Sequence, residues 1–255
     1  MNMEKLLTID MGNTHITIGL WEGEGLRKIW RIATNAARTA DEYAALLATL
    51  FAGWLDESDK ITAAGCSVVP PLEATLAMAI KSSLGTNLRW LTTTDFGIPI
   101  AYDPPSAVGL DRLANVLAAR EGWGVPVIVM DFGTATTVDA LNPTGDYVGG
   151  AILAGIELSA KALWQKTARL LPVDLDVPTS QALGQTTADS IRAGLLLGSA
   201  LAADGLVERI WTELGTKTPV IVTGGTAPLI ADKLRHMTAL VPELTLRGIK
   251  LASVI

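Results

Sequence analysis

Asp10-Met11-Gly12-Asn13-Thr14 and Asp131-Phe132-Gly133-Thr134-Ala135-Thr136 are one short phrase written twice, and the repeat decides how the chain is read. The first copy follows the apolar run Leu6-Leu7-Thr8-Ile9, the second Val127-Ile128-Val129-Met130. After each come a second strand, a turn (Glu22-Gly23 and Pro143-Thr144-Gly145) and a third extended stretch. A strand ending in Asp-x-Gly-[Asn/Thr] gathers a carboxylate, a permissive backbone and hydroxyl or amide donors at one point. Such a point suits phosphate, given a cation between it and the carboxylate. A lone phrase of this kind is more often a tight turn, but a turn needs no duplicate with matching flanks. Two copies facing each other would clamp phosphate between two related lobes.

The rest of the chain falls into place around the two copies. Thr39-Ala40-Asp41-Glu42 is a capping box. It predicts a helix with Tyr43, Leu46, Leu47, Leu50, Phe51 and Trp54 on one face. Residues 61–69 read as a buried strand stopped by Pro70-Pro71, with a helix over about 72–83. The three prolines within 98–106 make that stretch a loop, and Gly109 opens a helix through Arg120. The lobe boundary is therefore placed near 120, giving lobes 1–120 and 121–255. In the second lobe, three strands over 125–153 precede a helix over about 158–170 and a proline-bearing loop over 172–185. Thr186-Thr187 caps a long helix from about Ala188. Val220-Ile221-Val222-Thr223 is a last buried strand, followed by the Gly224-Gly225 turn and another helix. Hairpins followed by alternating helices and strands, repeated, mean an α/β fold.

Composition narrows the function classes. Hydrophobic residues make up 49% and charged residues 18% of the 255, which describes a globular chain with a sizeable core. A net charge of −6 speaks against a nucleic-acid partner, which usually requires a basic patch. The single cysteine, Cys66, cannot pair internally, so a reducing compartment is expected. Residues 1–5 show no signal-peptide pattern. The longest apolar runs, such as Ala193 to Ala203, fall short of the ~20 residues a membrane span requires. The expectation is a soluble, cytoplasmic protein with no membrane partner.

The absences are informative too. There is no Gly-Lys dipeptide, hence no Walker-A loop, and no Gly-x-Gly-x-x-Gly follows a strand. His15 and His236 lie far apart, so no metal cluster or Cys/His nucleophile is readable. His15 is expected as an exposed neighbour of the first loop.

With Gly224-Gly225 as a third glycine-bearing strand end, the set resembles the sugar-kinase, heat-shock-protein and actin superfamily. The resemblance implies two ribonuclease-H-like lobes (an actin-like ATPase fold), each a mixed sheet flanked by helices, with a nucleotide between them. The loop Tyr102-Asp103-Pro104-Pro105-Ser106-Ala107-Val108-Gly109-Leu110-Asp111-Arg112 is similar to the Tyr…Gly-x-Asp-Arg substrate motif of type III pantothenate kinases. Agreement runs along nearly the whole chain. It includes Trp30-Arg31, Arg38 to Glu42, Ser67-Val68-Val69-Pro70, Gly149-Gly150-Ala151-Ile152, Thr167-Ala168-Arg169 and Gly184-Gln185-Thr186-Thr187 with Gly194. Three positions depart from the family pattern: Pro104 stands for a common Asn, Ala154 for a Pro, and Thr226 for an Asp.

The resemblance implies that Asp10, Met11, Gly12, Asn13, Thr14, His15, Ile16 and Thr17 handle the phosphates of ATP and Mg²⁺, with Thr134 also on ATP. It assigns Asp131 to a monovalent cation, K⁺ or NH₄⁺, and Tyr102, Gly109, Leu110, Asp111, Arg112 and Thr187 to pantothenate. The implied activity is ATP-dependent phosphorylation of pantothenate to 4′-phosphopantothenate, the first step of coenzyme A biosynthesis, with Asp111 as proton acceptor. The implied assembly is a homodimer with the site at the interface.

Apart from the resemblance, Asp111-Arg112 reads in two ways. Structurally it is an acid at a helix N-terminus beside a salt-bridging neighbour. Chemically, Asp111 can take the proton of an attacking hydroxyl while Arg112 supplies directional positive charge to substrate oxygens. A helix N-terminus weakens a carboxylate as a base, yet phosphoryl transfer asks more for positioning than for basicity. Gly194 and Gly198 are open to two readings as well, close packing inside one lobe or a dimer surface. The alternatives to a pantothenate kinase are a kinase for another small hydroxylated acid and a non-catalytic regulatory or metabolite-sensing homologue.

Overall fold

The computed structural model describes residues 4–56 and 58–254. Residues 1–3, part of the stretch read above for a signal-peptide pattern, lie outside the described residues. Two five-stranded sheets carry the fold, and they share one topology. In the first, β1 (Glu4–Met11), β2 (His15–Glu22) and β3 (Gly25–Ala33) form an antiparallel meander. Beyond β1, β4 (Lys60–Ser67) and β5 (Leu88–Trp90) add in parallel, giving the order β3-β2-β1-β4-β5. In the second, β6 (Val127–Phe132), β7 (Ala135–Leu141) and β8 (Tyr147–Ala154) are the meander. Here β9 (Val220–Thr223) and β10 (Ala239–Leu240) add in parallel, and the order β10-β9-β6-β7-β8 repeats the first sheet. Each sheet is mixed and flanked by helices, the architecture of the actin-like ATPases.

Two compact units result. One holds residues 1–97, 106–118 and 245–255; the other holds 98–105 and 119–244. In the first unit, alternation along β1 sends Leu7, Ile9 and Met11 into a core with Tyr43, Leu47 and Phe51 of α1 (Ala40–Phe51). Leu72, Leu76, Ala79 and Ile80 of α2 (Pro70–Leu84) complete it. The Thr39 hydroxyl accepts from the Glu42 amide at 3.3 Å and the Glu42 carboxylate accepts from the Thr39 amide at 2.7 Å, so the capping box is formed. α2 begins with two prolines at its first turn, where a missing amide costs nothing.

The other face of the same sheet shows Thr8 and Asp10 and receives α7 (Leu244–Ser253). A methyl group at Gly19 would stand 3.0 Å from Leu246 Cδ1. α7 packs so closely on α3 (Leu110–Trp123) that Gly248 leaves no room for a side chain against the Ala114 backbone. The Thr245 hydroxyl donates to Asn115 Oδ1 across that seam at 2.8 Å.

In the second unit, Ile128, Met130 and Phe132 alternate into a core with Ile156 of α4 (Ile156–Lys166). Leu195, Leu196, Ala203 and Val207 come from the long helix Thr187–Leu214. That helix runs as α5 (Thr187–Arg192), one π turn (Ala193–Leu197) and α6 (Gly198–Leu214). Its apolar stretch is longer than the sequence reading allowed. By length and composition the helix could cross a membrane, with a mean hydropathy of 1.3 over its most apolar window. Much of that apolarity belongs to the face buried in the core.

Two expectations are corrected here. α4 ends at Lys166 rather than near 170, because Thr167 is already extended (φ −129°, ψ 145°). The helix expected directly after Gly224-Gly225 is replaced by two short 3₁₀ turns, Ala227–Leu229 and Ala231–Lys233. Pro228 stands inside the first of them.

Candidate active site

Both aspartates of the repeated phrase sit at the ends of central strands, on the face opposite the main core. Register shows how each is framed. Asp10 lies between Thr17 on β2 and Cys66 on β4, and Asp131 between Thr137 on β7 and Thr223 on β9. Each loop is pinned by the same set of backbone bonds. In the first, the Gly12 amide donates to the His15 carbonyl at 3.0 Å, and in the second the Gly133 amide donates to Ala135 at 3.0 Å. The residue after the third strand closes each loop, Thr34 N–H to the Thr14 carbonyl (2.9 Å) and Gly155 N–H to Thr134 (3.1 Å). An amide beyond the fourth strand ties down the end of the central one, Val68 N–H to Met11 (3.0 Å) directly after β4 and Thr226 N–H to Phe132 (3.0 Å) a short turn after β9. Asn13, Thr14 and His15 stand exposed at the first tip, and Thr134 at the second.

The first unit brings Asp10 and Asp111 into one neighbourhood around Cys66. The buried thiol donates to Asp10 Oδ1 at 3.6 Å. Burial pushes the thiol's pKa up, and the negative charges of Asp10 and then Asp111 raise it further. Cys66 therefore stays a neutral donor beside two carboxylates. Sequence reading missed this role. The only signal was position, since Cys66 heads the Ser67-Val68-Val69-Pro70 phrase at the same level as Asp10.

Asp111 sits half-buried in the first turn of α3, where the Gly109 carbonyl receives the amides of Arg112 (3.1 Å) and Leu113 (3.2 Å). Asp111 Oδ1 accepts from the Arg112 amide at 2.9 Å. It lies so close over Gly109 that a side chain there would strike it. Arg112 is buried at 8% exposure. A cation held this firmly offers a directional, pre-organised donor set.

In the second unit, Tyr102 is 37% exposed and rests on the ring of Tyr147, centroids 6.2 Å apart. Thr187 is exposed at the head of α5, just after Thr186, whose hydroxyl accepts from the Asp189 amide at 3.1 Å. Thr226, where the family pattern has Asp, is turned to structure: it is 6% exposed and its hydroxyl donates to the Phe132 carbonyl at 2.8 Å. Gly194 and Gly198 are exposed, and apart from the helix's own nearby backbone nothing among the described residues lies within 4 Å of where a side chain would begin. The reading of these glycines as close packing inside one lobe is thereby overturned.

Among the described residues, no three His, Cys, Asp or Glu side chains gather as a metal cage. Mg²⁺ does not require one, because it usually takes one or two carboxylates and completes its shell with phosphate and water. Asp10 fits that pattern. Asp131 is flanked in register by Thr137 and Thr223, and its carboxylate is an oxygen donor of the kind hard cations take.

Two sheets of one topology, each with an Asp-x-Gly loop at the end of its central strand, define the class: an actin-like ATPase fold. A solved structure, component A of (R)-2-hydroxyglutaryl-CoA dehydratase from Acidaminococcus fermentans, superposes with a TM-score of 0.58 at 16% identity. The match covers 98% of this chain and 96% of that one. The chain belongs to the type III pantothenate kinase family, whose model matches residues 6–209. Type III pantothenate kinases of Roseiflexus castenholzii and Roseiflexus sp. (strain RS-1) are 44% and 43% identical to it. Both matches extend over 248 residues, 96% of this chain and 97% of theirs. Members of the family are phosphotransferases.

Proposed function

We propose that this protein transfers the γ-phosphoryl group of ATP to the 4′-hydroxyl of pantothenate, the entry step to coenzyme A. The observation that carries the chemistry is Asp111 at the head of α3, beside a buried arginine and in one neighbourhood with Asp10. The relatives' activity supplies the acceptor. Asp111 takes the hydroxyl proton as the new O–P bond forms, and ADP leaves as the β–γ bridge breaks. Arg112 orients the acceptor's oxygens and offsets charge on the moving group. The loop from Asp10 through Met11, Gly12, Asn13, Thr14, His15, Ile16 and Thr17 holds the ATP phosphates, and Thr134 contacts the same nucleotide. Tyr102, Gly109, Leu110 and Thr187 shape the acceptor site. Asp10 would hold Mg²⁺ and Asp131 would hold K⁺ or NH₄⁺, whose charge would neutralise polyphosphate that two aspartates alone would repel.

The working form is a homodimer whose acceptor site is completed at the interface, in a cytoplasmic setting. Support comes from exposed apolar positions on the second unit: Gly194, Gly198 and Leu201 on the long helix, Ile152 on β8 and Leu158 on α4. Leu201 is 61% and Ile152 63% exposed. Gly194→Leu points into open space within the chain, so its cost should fall on assembly. Light scattering should show a shift to monomer together with lost pantothenate turnover. A fully active monomer would place the whole site in one chain. The activity itself is tested by coupled assay with pantothenate, ATP, Mg²⁺ and K⁺. ADP release that does not depend on pantothenate would overturn the reading.

A further inference from the structure

Behind Tyr102 lies a buried polar chain that the reaction outlined above does not use. Asp139, on β7, is wholly buried, an expensive position for a carboxylate unless it is hydrogen-bonded. Its Oδ1 accepts from the Tyr147 hydroxyl at 2.7 Å and its Oδ2 from the Thr137 hydroxyl at 2.8 Å. Tyr147, at the start of β8, is itself fully buried. Its backbone grips the loop that carries Tyr102: the Ala101 amide donates to the Tyr147 carbonyl, and the Tyr147 amide to the Pro99 carbonyl, both at 2.8 Å. Its ring lies under Tyr102, and Gly149 (φ +107°) passes the other flank, with a methyl there only 3.6 Å from Tyr102 Cδ2.

We propose that the buried Asp139–Tyr147 pair is the positioning device of the acceptor site, fixing Tyr102 as a rigid shelf for pantothenate. The inference rests on the assignment of Tyr102 to the acceptor made above. Asp139 and Tyr147 touch no substrate; they act through the ring they hold. Each hydrogen bond fixes one degree of freedom. The Tyr147 hydroxyl locks the swing of its ring about the strand, and the two amide bonds lock the height of the 99–101 backbone. Thr137 extends the chain along β7 to the residue paired in register with Asp131, so the shelf and the cation loop are built on one strand. Hydrogen bonds of 2.7 and 2.8 Å are short and directional, which suits positioning better than binding.

The test uses Tyr147→Phe, which removes one hydroxyl and keeps the ring, with Asp139→Asn as the second variant. The KM for pantothenate should rise about tenfold, since a bond worth roughly 1.4 kcal/mol is a factor of ten. The KM for ATP and the activation by K⁺ should stay at wild-type values. In parallel, 3-fluorotyrosine at position 102 gives a ¹⁹F signal that should be single in the wild type and shifted or broadened in Tyr147→Phe. An unchanged ¹⁹F signal, or a pantothenate KM at the wild-type value despite a lowered Tm, would overturn the proposal. If the wild type does not phosphorylate pantothenate, the acceptor assignment falls, while the ¹⁹F arm still decides whether Tyr147 holds the shelf.

Discussion

The loop after β1 and the loop after β6 share their backbone bonds but are closed by different residues. Thr34 closes the first, and its hydroxyl adds a 2.6 Å bond to the Gly12 carbonyl. Gly155 closes the second with no side chain at all. Its backbone lies so close to the Gly133 and Thr134 carbonyls that a methyl group could not fit. The strand ends differ in the same sense, with Val68 holding Met11 by its amide alone while Thr226 holds Phe132 by amide and hydroxyl. The second loop is also one residue shorter, since Asp131 pairs with Thr137 where Asp10 pairs with Thr17. The first loop thus keeps three exposed polar residues at its tip, suited to gripping a phosphate that enters and leaves. The second is clamped backbone to backbone, suited to a fixed cation. On the reading proposed above, the chemistry falls on the first unit with Asp111, and charge neutralisation on the second.

The sharpest way to break this division is Asp111→Asn. Turnover should fall by roughly 10²–10⁴, the usual scale for a general base, with Tm near wild type because the change is isosteric. Full activity in the Asn variant would remove the proton-acceptor role. The two closures can be compared directly. Gly155→Ala should cost about 1–3 kcal/mol of stability through forced overpacking against the second loop. Thr34→Ala should cost about 1 kcal/mol, the worth of one hydrogen bond. Urea unfolding of both variants checks the order, and equal costs would mean the loops are held alike.

A smaller effect concerns Cys66. Its thiol is raised above the unfolded value, so the stability it contributes is fully present below that value, ~8.5, and declines as pH rises past it. Native protein should resist a thiol-specific reagent at pH 8 and react fully in denaturant. Rapid labelling of the native chain would show that the thiol does not sit buried beside Asp10.

The duplicated phrase made the two meanders legible, because three long strands with turns between them carry a clear alternation. The Thr39–Glu42 box and the proline-led start of α2 were legible for local reasons. Strands β5 and β10, with three and two residues, were too short for any periodicity to show. The contacts of Cys66 with Asp10, of Thr34 with Gly12 and of Tyr147 with the 99–102 loop join segments far apart in the chain, which no local pattern encodes. Thr226 could be seen to depart from the family pattern, but only the structure shows its hydroxyl given to Phe132.

The division of labour is tested most directly by exchanging the monovalent cation. Formation of 4′-phosphopantothenate should be followed with Mg²⁺ constant and either K⁺ or Na⁺ as the only monovalent metal ion, in wild type and in Asp131→Ala. Turnover should require K⁺ in the wild type, and Asp131→Ala should lose both that dependence and most of the activity. Undiminished wild-type turnover in Na⁺ would contradict the assignment of the second loop to a cation.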